Sequence, residues 1–215
     1  MKKLIMFVAV FFILQAVAVA SPKNIDLREY QQATGTINVL AAPYQDSTFY
    51  LATFNFDEKN KGNDLDYYQG TCIVGGKDKE VLQPLSVKKI SGTEKNVKES
   101  IINKNKQMPY LQQARVVQTN SVEPKQYVGG DATDVVFLGK FKVTTKAGVF
   151  DDCIGIKIYN KDTGEGMIQY LAKGCGVVYM EGVKADGTKT EIAHLAEIRA
   201  LDNTQVENFK TKYFG

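Results

Sequence analysis

Two runs rich in Val, Ile, Tyr and Phe, Val149 to Tyr159 and Met167 to Ala172, flank a cluster of Gly, Asp and Asn from Asn160 to Gly166. Short apolar, β-branched runs on either side of turn residues predict a β-hairpin with a medium loop. A cysteine stands on each arm, at Cys153 and Cys175. With the hairpin centred near Gly164, the two fall almost opposite, within the roughly 4.4–6.8 Å Cα separation that a disulfide requires. The stretch from Thr144 to Glu181 is thus expected to be a hairpin stapled by Cys153–Cys175. Cys72, set between Thr71 and Ile73-Val74, is expected to be a buried, unreactive thiol. Pairing of Cys72 with one of the other two, or three free thiols, are the alternatives.

The start of the chain sets the compartment. Lys2 and Lys3 precede an apolar run from Leu4 to Val19 interrupted only by Gln15, and Ala18-Val19-Ala20 stands before Ser21-Pro22. This is the order of a signal peptide, residues 1–20, and predicts cleavage after Ala20 and export, periplasmic or extracellular. An uncleaved N-terminal anchor is the alternative, because the run is long for a signal peptide and short for a membrane span of ~20 residues. No Cys follows the site, so there is no lipobox. Export supplies the oxidising surroundings in which a disulfide persists. The peptide carries two of the 27 Lys+Arg and none of the 24 Asp+Glu, so its removal lowers the formal charge from +3 to +1. A nearly neutral chain lacks the basic footprint of nucleic-acid binding.

Residues 21–215 are expected to form a single domain. Eleven Tyr, eleven Phe, few Pro and no Trp suit a β-rich core. Ile25 to Gln32 has room for a short helical turn. Thr36 to Ala42 and Thr48 to Phe56 read as a strand pair around Pro43-Tyr44-Gln45-Asp46, and the second has two apolar faces, as a covered strand does. Asp57 to Asp66 is a charged loop. Tyr67 to Val74 and Glu80 to Ile90 read as strands, with Pro84 placing the latter at an edge or bulge. Ser91 and Glu94 have capping-box spacing, and Val97 and Ile101 share a helical face, so a helix is expected over Thr93 to Gln107. Tyr110 to Asn120 is ambiguous between helix and a strand at Arg115 to Thr119. From 134 to 201 strand character is strong: Val135 to Thr145, the hairpin, Val177 to Glu181, and Thr190 to Leu201, read as strand because its neighbours are. Asp202 to Gly215 is expected to end in a short helix.

Candidate chemistry is sparse. Cys153 and Cys175 lack C-x-x-C spacing, and His194 is the only histidine, which excludes a multi-histidine metal site. With no nucleophile nominated, His194 reads as a packed or hydrogen-bonded structural residue. Asn160 to Gly166 fails as a calcium loop, since its sixth and twelfth positions are Glu165 and Leu171 where Gly and Glu are required. Lysines from Lys88 to Lys106 read as a solvated face. Phosphate-loop, dinucleotide, nucleophile-elbow and zinc-protease motifs are absent. No catalytic residue, metal or cofactor is expected.

Gly148-Val149-Phe150-Asp151-Asp152-Cys153 followed by Tyr170-Leu171-Ala172-Lys173-Gly174-Cys175-Gly176-Val177-Val178 resembles the G-x-F-x-x-C … Y-x-A-x-G-x-G-x-V pattern of uncharacterised bacterial envelope proteins. Those are similar in turn to the LolA-like lipoprotein-carrier superfamily. The resemblance covers about a third of the chain and departs from the pattern in placing Cys175 between the two glycines. It implies a curved sheet wrapped around a helix, able to hold an acyl chain, and no particular binding residue.

The expected fold is α+β: a largely antiparallel, twisted or curved sheet of seven to ten strands with one main helix packed on it. The preferred expectation for function is a non-catalytic envelope protein that binds or carries a hydrophobic ligand such as a lipid. The alternatives are a structural or interaction module, working through a strand edge or the surface around Tyr67-Tyr68, and an enzyme with paired carboxylates.

Overall fold

The computed structural model describes residues 25–59, 65–75, 81–92, 96–103, 106–108, 115–118, 121–123 and 133–214. After a 3-10 turn at Leu27–Tyr30 the chain forms β1 (Thr36–Tyr44), β2 (Ser47–Phe56), β3 (Leu65–Gly75), β4 (Val81–Gly92), β5 (Asn96–Asn103), β6 (Lys106–Met108), β7 (Arg115–Gln118) and β8 (Ser121–Glu123). Then come β9 (Thr133–Thr145), β10 (Gly148–Asn160), β11 (Gly166–Ala172), β12 (Gly176–Val183), β13 (Lys189–Ala200) and helix α1 (Asn203–Phe214). All 13 strands lie in one sheet of order β8-β7-β5-β4-β3-β2-β1-β13-β12-β11-β10-β9, with β6 pairing β5.

The topology is two antiparallel meanders joined by pairing of the first strand with the last. β1 pairs β13 from Thr36↔Ala200 to Ala41↔His194. Twisted sheets of more than about ten strands curl, and here the two ends of the order, β8 and β9, come to lie against each other. The result is a rolled sheet with an inside and an outside.

The α+β expectation is overturned, because the described residues form a single antiparallel sheet with one α-helix, at the C-terminal end. The helix expected over Thr93 to Gln107 is strand wherever it is described, at β5 and β6. Val97 and Ile101 stand four apart, a spacing that fits one face of a strand as well as a helix. The neighbour decides between them: β4 offers an open ladder, and β5 takes it from Val87↔Ile102 to Gly92↔Val97. Pro43 and Pro84 sit where a strand tolerates them. β13 pairs β1 only as far as Ala41, leaving Pro43 beyond it, and the β3–β4 register slips between Thr71 and Cys72, opposite Pro84.

Helix α1 covers one face of β1 to β4. Its buried residues, Val206 and Phe209, pack with Ile37, Ala52, Phe54, Phe56, Cys72 and Val87. Phe209 meets Phe54 edge-on at 5.1 Å between ring centroids. A second core fills the opposite face, where Ile25, Leu27 and Tyr30 lie between Tyr67 and Ile90 of β3–β4 and Ile154, Ile156 and Leu171 of β10–β11. The segment before β1 is therefore a plug inside the roll. A third core, around Tyr170, Val178 and Leu195, joins β9 to β13. Among the described residues no helix is long and apolar enough to cross a membrane.

Candidate functional site

The plug is held by hydrogen bonds as well as by burial. Asp26 caps the 3-10 turn by accepting from the Arg28 backbone N–H at 3.0 Å and from the Arg28 guanidinium. That guanidinium holds the Asp26 carboxyl below its ordinary range. Gln32 is buried and spends its amide on the sheet. Its Nε2 donates to the Thr36 and Thr53 carbonyls at 3.0 and 2.9 Å, and its Oε1 accepts from the Thr53 hydroxyl at 2.9 Å. Asn55, 1% exposed, donates to the Gln32 carbonyl. Tyr67 donates from its hydroxyl to Gln31 Oε1 at 2.9 Å. Buried polar groups are satisfied in this way because leaving them unpaired is costly.

The turn between β11 and β12 supplies the other clamp. Gly174 N–H donates to the Glu29 carbonyl at 2.7 Å, and Ala33 N–H donates to the Gly174 carbonyl at 2.8 Å. Gly174 and Gly176 both have positive φ, at 66° and 78°, which only glycine adopts at little cost. A Cβ on Gly176 would lie 3.2 Å from the Gln32 nitrogen. The Gly-Cys-Gly run thus shapes the turn that receives the plug.

Beside the plug lies a cavity of about 300 Å³. One wall, from β10–β11, carries Ile156, Ile158, Met167 and Leu171 with the amide of Gln169 among them. The other carries Gln69 and Lys88, which are register partners on β3 and β4. Such a volume is at the lower end of small-ligand pockets, about 300–1,000 Å³. The sequence gives little sign of these residues, since Gln69 and Lys88 sit in ordinary alternating strands where a polar residue reads as solvent-facing. Only the rolling of the sheet turns them inward.

The cysteines depart from expectation. Cys153 and Cys175 are both free, buried thiols rather than a disulfide. They share the third core, but the hairpin register is not centred on Gly164. It pairs Ile154 with Leu171 and Tyr159 with Gly166, so Cys153 continues the ladder toward Ala172 while Cys175 lies three residues farther on, in the turn. Cys153 Sγ faces the Phe150 carbonyl, and Cys175 Sγ faces Asn38 Nδ2. Burial pushes the Cys153 thiol up to about 12, with a smaller contribution from Cys175, and raises that of Cys175. Cys72 is also a buried free thiol, pushed up to about 12 by burial. It lines a smaller cavity of about 190 Å³ beneath α1.

His194 sits on β13, opposite Tyr179. Its Nδ1 lies 2.7 Å from Glu191 Oε1, and its Nε2 is buried without a hydrogen-bond partner among the described residues. Tyr170 donates to Glu181 at 2.8 Å, and Lys189 lies 3.4 Å from the same carboxylate. Burial first, then Glu181, raises the Tyr170 phenol. Burial and Glu191 push that of Tyr179 up to about 12. Among the described residues no three His, Cys, Asp or Glu side chains are grouped to hold a metal. Asn160 closes its loop as a turn, its Oδ1 accepting from the Asp162 N–H at 2.8 Å. Tyr67 is buried, and Tyr68 is stacked on Phe56, so the two do not form the open tyrosine surface expected for partner binding. Of the lysines from Lys88 to Lys106, Lys88 faces the cavity and Lys89 pairs with Asp66 at 3.4 Å.

No family model matches the chain, and no curated protein matches its sequence. Among solved structures it is similar to a presumed exported protein with a YmcC-like fold from Bacteroides fragilis, at a TM-score of 0.52 and 11% identity over 79% of this chain and 98% of that one. It is also similar to a presumed lipoprotein from Parabacteroides distasonis, at a TM-score of 0.48 and 10% identity over 83% and 100% of the two chains. The resemblance to LolA-like carriers rests on the sequence pattern alone. At so low an identity, the likeness to the Bacteroides fragilis structure establishes one thing, that this chain has a YmcC-like fold.

Proposed function

We propose that this chain is a non-catalytic, exported protein of the cell envelope that binds a small amphipathic ligand inside its rolled sheet. Export is supported by the basic, apolar and Ala-x-Ala order of residues 1–20 and by the description of the Bacteroides fragilis protein as a presumed exported one. The observation that carries the binding reading is the cavity of about 300 Å³ beside the plug, where Ile156, Ile158, Met167 and Leu171 of β10–β11 stand among polar groups from Gln31, Gln69, Lys88 and Gln169. A ligand with both apolar and polar parts matches this mixed lining, and burial of the apolar part supplies the driving force. The volume suits one short chain or ring rather than a many-chained lipid.

Native mass spectrometry of the protein recovered from its own envelope fraction tests the reading. The expected result is an excess mass that disappears on denaturation and is lost from an Ile158→Trp variant, whose bulkier indole intrudes on the cavity. A bare chain, or a bound mass that Ile158→Trp does not displace, overturns it.

A further inference from the structure

Helix α1 is tied to the sheet less firmly than β1 to β4 are tied to one another. Those strands share backbone ladders, whereas among the described residues no backbone hydrogen bond joins α1 to a strand. Of its 12 residues Val206 and Phe209 are buried, and Phe214, edge-on to Tyr68, stays 38% exposed. The packing is also incomplete. A cavity of about 190 Å³ lies between Gln205, Asn208 and Phe209 of α1 and Cys72, Leu82 and Pro84 of the sheet, and atoms facing a cavity have no partner across it. Two lysines latch the C-terminal half. Lys210 reaches Asp57 at 2.6 Å and Glu207 at 3.3 Å, and Lys212 donates to the Pro84 carbonyl at 2.8 Å. Ion pairs as exposed as Lys210 and Asp57 hold weakly and are screened by salt. The N-terminal end is fixed. Leu201 N–H donates to the Gly35 carbonyl at 2.9 Å, and Asp202 caps the first turn by accepting from the Thr204 N–H at 2.8 Å.

We propose that α1 is a hinged cover, which swings about Leu201-Asp202 as a unit while the sheet stays paired and so uncovers Phe54, Phe56 and Cys72. An element held by few buried contacts opens at a lower free energy than the whole fold. The cover is separate from the cavity beside the plug, which no α1 residue lines. Cys72 reports its movement: the residue is 1% exposed and packs with Val206 and Phe209. Cys153, 0% exposed in the third core, is the internal control. Neither thiol meets a reagent until the structure around it opens.

The test is alkylation of the full mature chain with iodoacetamide at mildly alkaline pH, each site read by peptide mass spectrometry over a low urea series. It is repeated with Lys210→Gln, Phe209→Leu and Ile168→Val. The expected result is that Cys72 reacts at least about tenfold faster than Cys153, with a shallower urea dependence because less surface is exposed on opening. Lys210→Gln should speed Cys72 by about twofold to fivefold, and Phe209→Leu by about tenfold, since both remove contacts that opening breaks. Ile168 is buried in the third core, which the opened chain keeps. Ile168→Val should therefore speed Cys153 by about fivefold and leave Cys72 unchanged. Equal rates at the two thiols, or an Ile168→Val variant that speeds both alike, mean that the chain opens only as a whole and overturn the proposal. A fast Cys72 that neither Lys210→Gln nor Phe209→Leu speeds overturns it as well, because the route to the thiol then bypasses α1.

Discussion

Replacing Gln32 with Met probes the device on which the interior depends. Methionine has nearly the volume of glutamine but none of its hydrogen-bonding capacity. Three bonds are lost, to the Thr36 carbonyl, the Thr53 carbonyl and the Thr53 hydroxyl, all between 2.9 and 3.0 Å. At about 0.5–1.5 kcal/mol net for each, the loss is about 3 kcal/mol. Leu27 and Tyr30 still anchor the plug by burial, at roughly 1.5–3 kcal/mol for such a side chain, so the segment loosens without leaving. Urea denaturation should report the lost stability. Hydrogen exchange should locate it, because the Gly174 amide donates to Glu29 and the Ala33 amide to Gly174. Their protection should fall by about a hundredfold if the loss is local. A loss below about 0.5 kcal/mol with protection unchanged at both amides would refute the reasoning.

Other perturbations reach different parts of the fold. Phe209→Ala removes the main anchor of α1, a helix of 12 residues with two buried side chains, and should cost about 3–5 kcal/mol at most; exchange protection over 203–214 should vanish before the strands unfold. Gly176→Ala combines positive φ with contact on Gln32 and should cost about 1–3 kcal/mol, read from the denaturation midpoint. Asp26 has its carboxyl pKa lowered by Arg28, so its contribution is present above the unfolded value near 3.9 and is lost as pH falls through the folded value. The plug should loosen in acid, and Asp26→Asn should flatten that dependence in a pH series of unfolding midpoints. With all three thiols buried and those of Cys72 and Cys153 pushed up to about 12, a thiol reagent at neutral pH should label the native chain slowly and the urea-unfolded chain completely.

The strands of this protein were legible because their information is local. Alternation in Thr48 to Phe56, the turn residues of Asn160 to Gly166 and the short β-runs after residue 134 each carry a period of two and a stop signal, and β2, β10, β11 and β13 formed there. The tail helix was legible for the same reason. Where local signals conflicted, a neighbour decided: Val97 and Ile101 fit either period, and the open ladder of β4 made them strand. The cysteine pairing failed on a register offset, which depends on the loop and the β-bulges rather than on composition. The candidate cavity was not legible at all. Gln69 and Lys88 meet through β3–β4 pairing, and they face Gln32 and the β10–β11 wall only because the sheet rolls and takes residues 25–32 inside. The chain itself determined which residues extend and where they turn, because those choices depend on contacts a few residues apart. The inside of the roll, and with it the site, was decided by pairing β1 with β13 across the whole chain.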